Sequence, residues 1–174
     1  MPASVAGTEI LSKYPVTDEA VFKYHENLLY HCRTEIEIGD QTITVFSAHP
    51  PVPTNNYQNH AREEESSELA KSCEIEGPVL LLGDMNMTDL SLDYHKFIGA
   101  GLHDVQREIG IGFGNTWPVR IPITHPYLPT WCMIPLMRGD MIFYSDDFTP
   151  VSVRRGPFVH SDHLPVIAEL VLVP

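Results

Sequence analysis

The stretch that most constrains this chain is Gly77-Pro78-Val79-Leu80-Leu81-Leu82-Gly83-Asp84-Met85-Asn86. Four consecutive apolar residues between turn-forming glycines are too few for a helix and lack the alternation of a half-exposed strand. They predict a strand buried on both faces. Such a strand needs layers above and below it, so the rest of the chain must supply partner strands and covering helices. The run breaks at Gly83, and polar groups follow at once in Asp84 and Asn86. Active groups gather just beyond strand ends, where a rigid sheet fixes them and the backbone stays accessible.

The remaining pattern supplies those layers. Residues 8–12 read as a short strand, and residues 33–38 and 41–49 as two strands joined by a Gly39-Asp40 hairpin turn. Over residues 56–73 the less polar Tyr57, Ala61, Leu69 and Cys73 recur at multiples of four among glutamates, which predicts a surface helix with a solvated acidic face. Leu90, Tyr94, Phe97, Ile98 and Gly101 mark a second helix, followed by a turn and a polar segment over residues 103–108. Residues 110–138 are rich in Gly and Pro, carry Trp117, Tyr127 and Trp131, and read as a long loop, a feature that is usually functional or disordered. Residues 141–145 and 151–155 are further strands. The last strand places Leu164, Val166, Ala168, Leu170 and Leu172 on one face. The expectation is a single α/β domain over residues 1–174.

Composition narrows the partners. Among 174 residues, 43% hydrophobic, 11 Lys and Arg face 23 Asp and Glu, for a formal charge of -12. A broad basic surface following nucleic-acid phosphates is excluded, while a local cationic site is not. Cys32, Cys73 and Cys132 form no metal or disulfide framework and read as small buried fillers. The longest apolar stretch is too short to cross a bilayer, and the opening residues lack a signal peptide's pattern. The expectation is a soluble chain with no membrane span, the cytoplasm being favoured as its location.

Six residues sit at strand ends with the groups that phosphate-ester cleavage requires. They are His49, Asp84, Asn86, Asp140, Asp162 and His163. An aligned water, neutralised phosphoryl oxygens and help for the leaving oxygen call for carboxylates, a hard cation and an imidazole. Taken singly, Gly-Asp is often a plain turn and Ser-Asp a loop cap.

Taken together, the strand ending at His49, LLLGDMN, RGDMIF and SDHLPV resemble the endonuclease/exonuclease/phosphatase superfamily, from about Gly7 to the end. The resemblance implies a four-layered α/β sandwich of the deoxyribonuclease-like type, lacking its amino-terminal part. It implies that Asp84 orients or deprotonates the attacking water, that Asn86 helps hold it, and that His163, paired with Asp140, stands at the phosphate. His49 would donate to a phosphoryl oxygen, and Asp162 with Asp84 would hold Mg2+ or Mn2+. Trp117 and Arg120 are substrate-binding candidates, with Arg154 and Arg155 as further cations. TEILSKYP, residues 8–15, looks like the family's strand that follows its metal-binding glutamate, and that glutamate has no counterpart here. Without the first strands, a sheet edge is expected to be exposed, and a homodimer would cover it.

The implied function is divalent-metal-dependent hydrolysis of phosphodiesters, first as a nuclease acting on DNA. The alternatives are a phosphomonoesterase or lipid-phosphate phosphatase, and a catalytically silent binding protein.

Overall fold

The computed structural model describes residues 4–5, 8–24, 29–119 and 134–173. In chain order the elements are β1 (Ser4–Val5), β2 (Thr8–Glu9), β3 (Val16–Phe22), β4 (His31–Ile38), β5 (Gln41–Ser47), α1 (Asn56–Ser72), β6 (Val79–Asp84), α2 (Leu92–Gly99), β7 (His103–Asp104), α3 (Val105–Ile109), β8 (Asp140–Tyr144), β9 (Phe148–Arg155) and β10 (Val166–Leu172). A six-stranded sheet runs β3-β4-β5-β6-β8-β7, β9 pairs with β10, and β1 with β2.

β6 lies inside the large sheet, parallel to β5 and antiparallel to β8. Its side chains alternate between two cores. Val79 and Leu81 pack with Phe46, Phe97 and Phe143 beneath α1 and α2, whereas Leu80 and Leu82 lie against Ile43, Val45 and Tyr144 on the side covered by β9 and β10. The apolar run is therefore covered on both faces, as its pattern predicts. Helices, large sheet and small sheet are three layers of the α/β sandwich the resemblance implies.

The β4–β5 hairpin turns through Gly39, at φ +63°, with Ile38 opposite Gln41. Gly-Asp supplies the positive φ that a two-residue turn requires. Helix α1 starts where Asn55 accepts the Gln58 backbone N–H at 2.9 Å, and α2 where Ser91 accepts that of Tyr94 at 3.2 Å.

Several sequence expectations shift. The strand over residues 8–12 shortens to β2, and β3 appears in a stretch with no strand pattern. Helix α1 buries the predicted stripe at Ala61, Leu69 and Cys73, but Tyr57 at its start is 63% exposed, and Glu65, which falls on the same stripe, is fully buried with them. The polar segment after α2 contains α3, capped by Asp104, which accepts the Gln106 backbone N–H at 3.0 Å. Cys32 and Cys73 are buried, while Cys132, Tyr127 and Trp131 lie outside the described residues.

Candidate active site

Three neighbouring strands bring the chemistry to one end of the large sheet. β5 and β6 run in parallel with Ser47 opposite Leu82, so His49 and Asp84 leave the sheet side by side. β8 runs the other way with Asp140 opposite Asp84, so its amino end delivers Asp140 to the same edge. The approach of β6 to β5 depends on Gly83, whose φ is +149°. A Cβ there would stand 1.9 Å from the Ala48 carbonyl oxygen, so only glycine fits.

The loop before β10 adds His163. Its Nδ1 lies 2.8 Å from Asp140 Oδ2 and its Nε2 lies 3.7 Å from Asp84 Oδ2. His49 Nε2 is 3.8 Å from that same Asp84 oxygen, so two imidazoles converge on it. The other oxygen, Oδ1, accepts the Asn86 backbone N–H at 3.0 Å. Asn86 holds φ +48°, and its side-chain N–H donates to the Pro50 carbonyl at 2.8 Å. Its amide thus ties the turn after β6 to the loop after β5.

Electrostatics gives His163 a definite character. Partial burial disfavours its cation, but the Asp140 hydrogen bond and charge, aided by the charges of Asp84 and Asp162, outweigh that burial and raise its pKa above the ordinary histidine value. The imidazolium is favoured, and Asp140 fixes which ring nitrogen faces the cleft.

These residues line a cleft of about 800 Å³, with Thr8, Val52, Pro53, Trp117 and Met137 among its walls. That volume suits a phosphate together with an organic leaving group. Trp117 stands beside His163, with ring centroids 6.4 Å apart. Asp162 also lines the cleft, and its backbone carbonyl accepts the Val119 N–H at 2.7 Å. Arg120 lies outside the described residues. Arg154 and Arg155 are exposed on β9, apart from the cleft lining, and Arg155 donates to the Asn115 carbonyl at 3.0 Å.

Among the described residues, Asp84, Asp140 and His163 offer metal-ligand atoms all within 4.8 Å of one another. The two carboxylates suit a hard divalent cation such as Mg2+ or Mn2+, whereas His163 offers it a lone pair only in its neutral form. Asp162 stands outside that group. Thr8, Val52, Pro53 and Met137 escaped sequence reasoning, and the only usable signal was the proline-rich run directly after His49.

The sequence model described as the Endonuclease/Exonuclease/phosphatase family matches residues 2–163. The chain belongs to that family. Its members are metal-dependent phosphoester hydrolases, nucleases and phosphatases among them. No curated protein matches the chain in sequence. Its fold is similar to that of a mannosyl-6-phosphatase, Bt3783, from Bacteroides thetaiotaomicron, at 18% identity and TM-score 0.67, covering 92% of this chain and 68% of that one. An endonuclease/exonuclease/phosphatase from Beutenbergia cavernae is similar at 18% identity and TM-score 0.68, covering 93% of this chain and 46% of its own. D. rerio TDP2, complexed with a single strand DNA product, is similar at 15% identity and TM-score 0.72, covering 98% and 76%.

The turn into β8 reads Arg138-Gly139-Asp140-Met141-Ile142. Asp84 Oδ1 sits 2.7 Å from where a Gly139 Cβ would stand, so the glycine gives that carboxylate its room. Arg138 is buried and donates to both Asp104 oxygens, at 2.9 and 2.6 Å, which anchors the turn carrying Asp140.

Proposed function

We propose that the chain is a divalent-metal-dependent phosphoesterase acting on small phosphate esters. The observation that carries the reading is the convergence of Asp84, Asp140 and His163, from β6, β8 and the loop before β10, at one cleft. Asp84 Oδ2 is the base that accepts the proton of the attacking water. His163 Nε2, in its favoured cationic form, donates to the phosphoryl group as charge builds there, and Asp140 holds the ring from behind. His49 Nε2 is a second donor from the other side. Asn86 shapes the turn that presents Asp84. Asp84 and Asp140 are the carboxylates offered to Mg2+ or Mn2+, with Asp162 at the rim, while protonated His163 stays a donor; an ion held there would neutralise charge on the phosphoryl oxygens.

The choice of ester rests on what lines the cleft. Among the described residues no Lys or Arg does so, while Val52, Pro53, Trp117 and Met137 form apolar wall. With a formal charge of -12, this favours a compact, partly apolar ester over a polynucleotide and reverses the order taken from sequence. Trp117 favours a second reading, phosphodiester cleavage in DNA, because an aromatic face at the rim can stack a base. The solved relatives include both a phosphatase and a DNA-bound protein and do not choose between the two.

The test is hydrolysis of p-nitrophenyl phosphate, bis-p-nitrophenyl phosphate and supercoiled plasmid with Mg2+, Mn2+ or chelator. Metal-dependent release of nitrophenol is expected, with the plasmid intact. Asp84→Ala and His163→Ala should each lower the rate by a factor of about 100 or more. Activity unchanged in both variants overturns the assignment, and cleavage of plasmid alone establishes the second reading.

A further inference from the structure

We propose that a buried pair, His31 and Glu65, positions His49 for the phosphoryl group; the proposal rests on the phosphoesterase reading above. His31 opens β4, and Glu65 lies mid-way along α1. Both side chains are fully inaccessible, with His31 Nε2 2.7 Å from Glu65 Oε1. The other ring nitrogen, Nδ1, faces the His49 backbone N–H at 3.3 Å. An amide can only donate, so Nδ1 accepts and the ring proton sits on Nε2, pointing at the carboxylate.

The bond falls where the sheet stops providing partners. The Ala48 N–H is still bound by the Leu82 carbonyl, at 3.0 Å, and the β4–β5 register ends with Cys32 opposite Ser47. His49 is the next residue. The His31 ring takes the place of the backbone acceptor that β4 no longer offers, extending the sheet's order by one donor to the residue whose Nε2 faces Asp84. Helix α1 thereby reaches the site without touching substrate.

Packing does not explain the pair. Desolvating an imidazole and a carboxylate is costly, and apolar residues of similar volume stabilise such a position at least as well. Among the described residues Glu65 Oε2 has no hydrogen-bond partner, so the pair is not optimised for stability. What an apolar pair lacks is an acceptor for the His49 amide. His31 is therefore a positioning residue, and Glu65 sets its tautomer.

Two double variants that both remove the carboxylate differ in whether position 31 offers that acceptor. In His31→Asn/Glu65→Met the amide oxygen replaces Nδ1, and in His31→Phe/Glu65→Met nothing does. The phenyl variant is expected to keep a Tm at or above that of the parent chain while kcat on p-nitrophenyl phosphate falls about tenfold at nearly constant KM. Hydrogen exchange at the His49 amide should accelerate by a similar factor. The asparagine variant should retain both. His31→Gln, which preserves the reach to Glu65 and withdraws the acceptor, should behave like the phenyl variant and serves as the comparison if that variant fails to fold. Unchanged kcat and unchanged His49 exchange in the folded acceptor-free variants overturn the proposal, as does activity that falls in all variants in step with Tm. If the parent chain hydrolyses no phosphate ester, the functional reading fails separately. The His49 exchange rates then decide whether His31 holds that residue.

Discussion

Asp140 holds the charge state of His163, and this can be read directly. With its pKa raised in the folded chain, His163 contributes stability that is fully present below the ordinary histidine value of about 6.5 and is lost as pH rises through the folded value. Asp140→Asn removes the strongest of the raising influences and leaves burial to act. In metal-free protein, the His163 ring resonances should therefore titrate at lower pH in Asp140→Asn than in the parent chain. An unchanged midpoint by NMR would show that Asp140 does not govern the ring. At this scale the site residues were legible because they cluster in GDMN, RGD and SDH, each at a strand end. His31 and Glu65 were not. They are 34 residues apart, and their link to His49 runs through a backbone amide that no side-chain pattern encodes.

The elements hold the site through two fitted approaches. Arg62 of α1 donates to the Asn86 carbonyl at 2.9 Å and to Asp93 of α2 at 3.0 Å, so both helices grip the turn that presents Asp84. Arg62→Ala leaves buried Asp93 with Lys96 as its cationic partner among the described residues and frees Asn86 from behind. A loss of about 2 kcal/mol in urea unfolding is expected, together with lower kcat. Gly83→Ala should cost more, about 3 kcal/mol, because both the left-handed φ and the Ala48 carbonyl oppose the new methyl group. A Gly83→Ala protein as stable as the parent chain would mean that β5 and β6 do not approach as closely as described. β6, the hairpin and the bounds of α1 followed from local pattern, since burial and turn chemistry act over a few residues. β3 did not, because an edge strand carrying Asp18 and Glu19 is mostly exposed and shows no buried face. α3 is too short for a helical stripe, and its only signal was the capping Asp104. Glu65 shares the buried stripe of α1 with Ala61 and Leu69, but one glutamate among solvated ones carries no sign of burial, and its partner His31 lies on β4.

The whole molecule combines an acidic exterior with a sheet face left open. Among the described residues, no helix is long and apolar enough to cross a membrane. The β9–β10 hairpin buries Ala168, Leu170 and Leu172 against the large sheet, while its other side exposes Val151 at 52%, Ile167 at 39% and Val171 at 53%. Neither outer edge of the pair meets another strand among the described residues. An apolar face beside unpaired strand edges associates unless charge opposes it, and here Arg154 lies opposite Ile167, and Ser152 opposite Glu169. A second copy of this chain presents the same arginine and glutamate to pair across a two-fold contact, so we expect a homodimer through β9 and β10. A stable contact needs about 800 Å² from each partner, more than three side chains supply, so the strand edges must take part. Light scattering coupled to size exclusion should then give twice the 19.6 kDa chain mass at micromolar concentration. Val171→Lys, which places a charge on the exposed face and leaves the cleft untouched, should return the monomer with its hydrolytic rate intact; a parent chain that elutes as a monomer throughout rules this contact out.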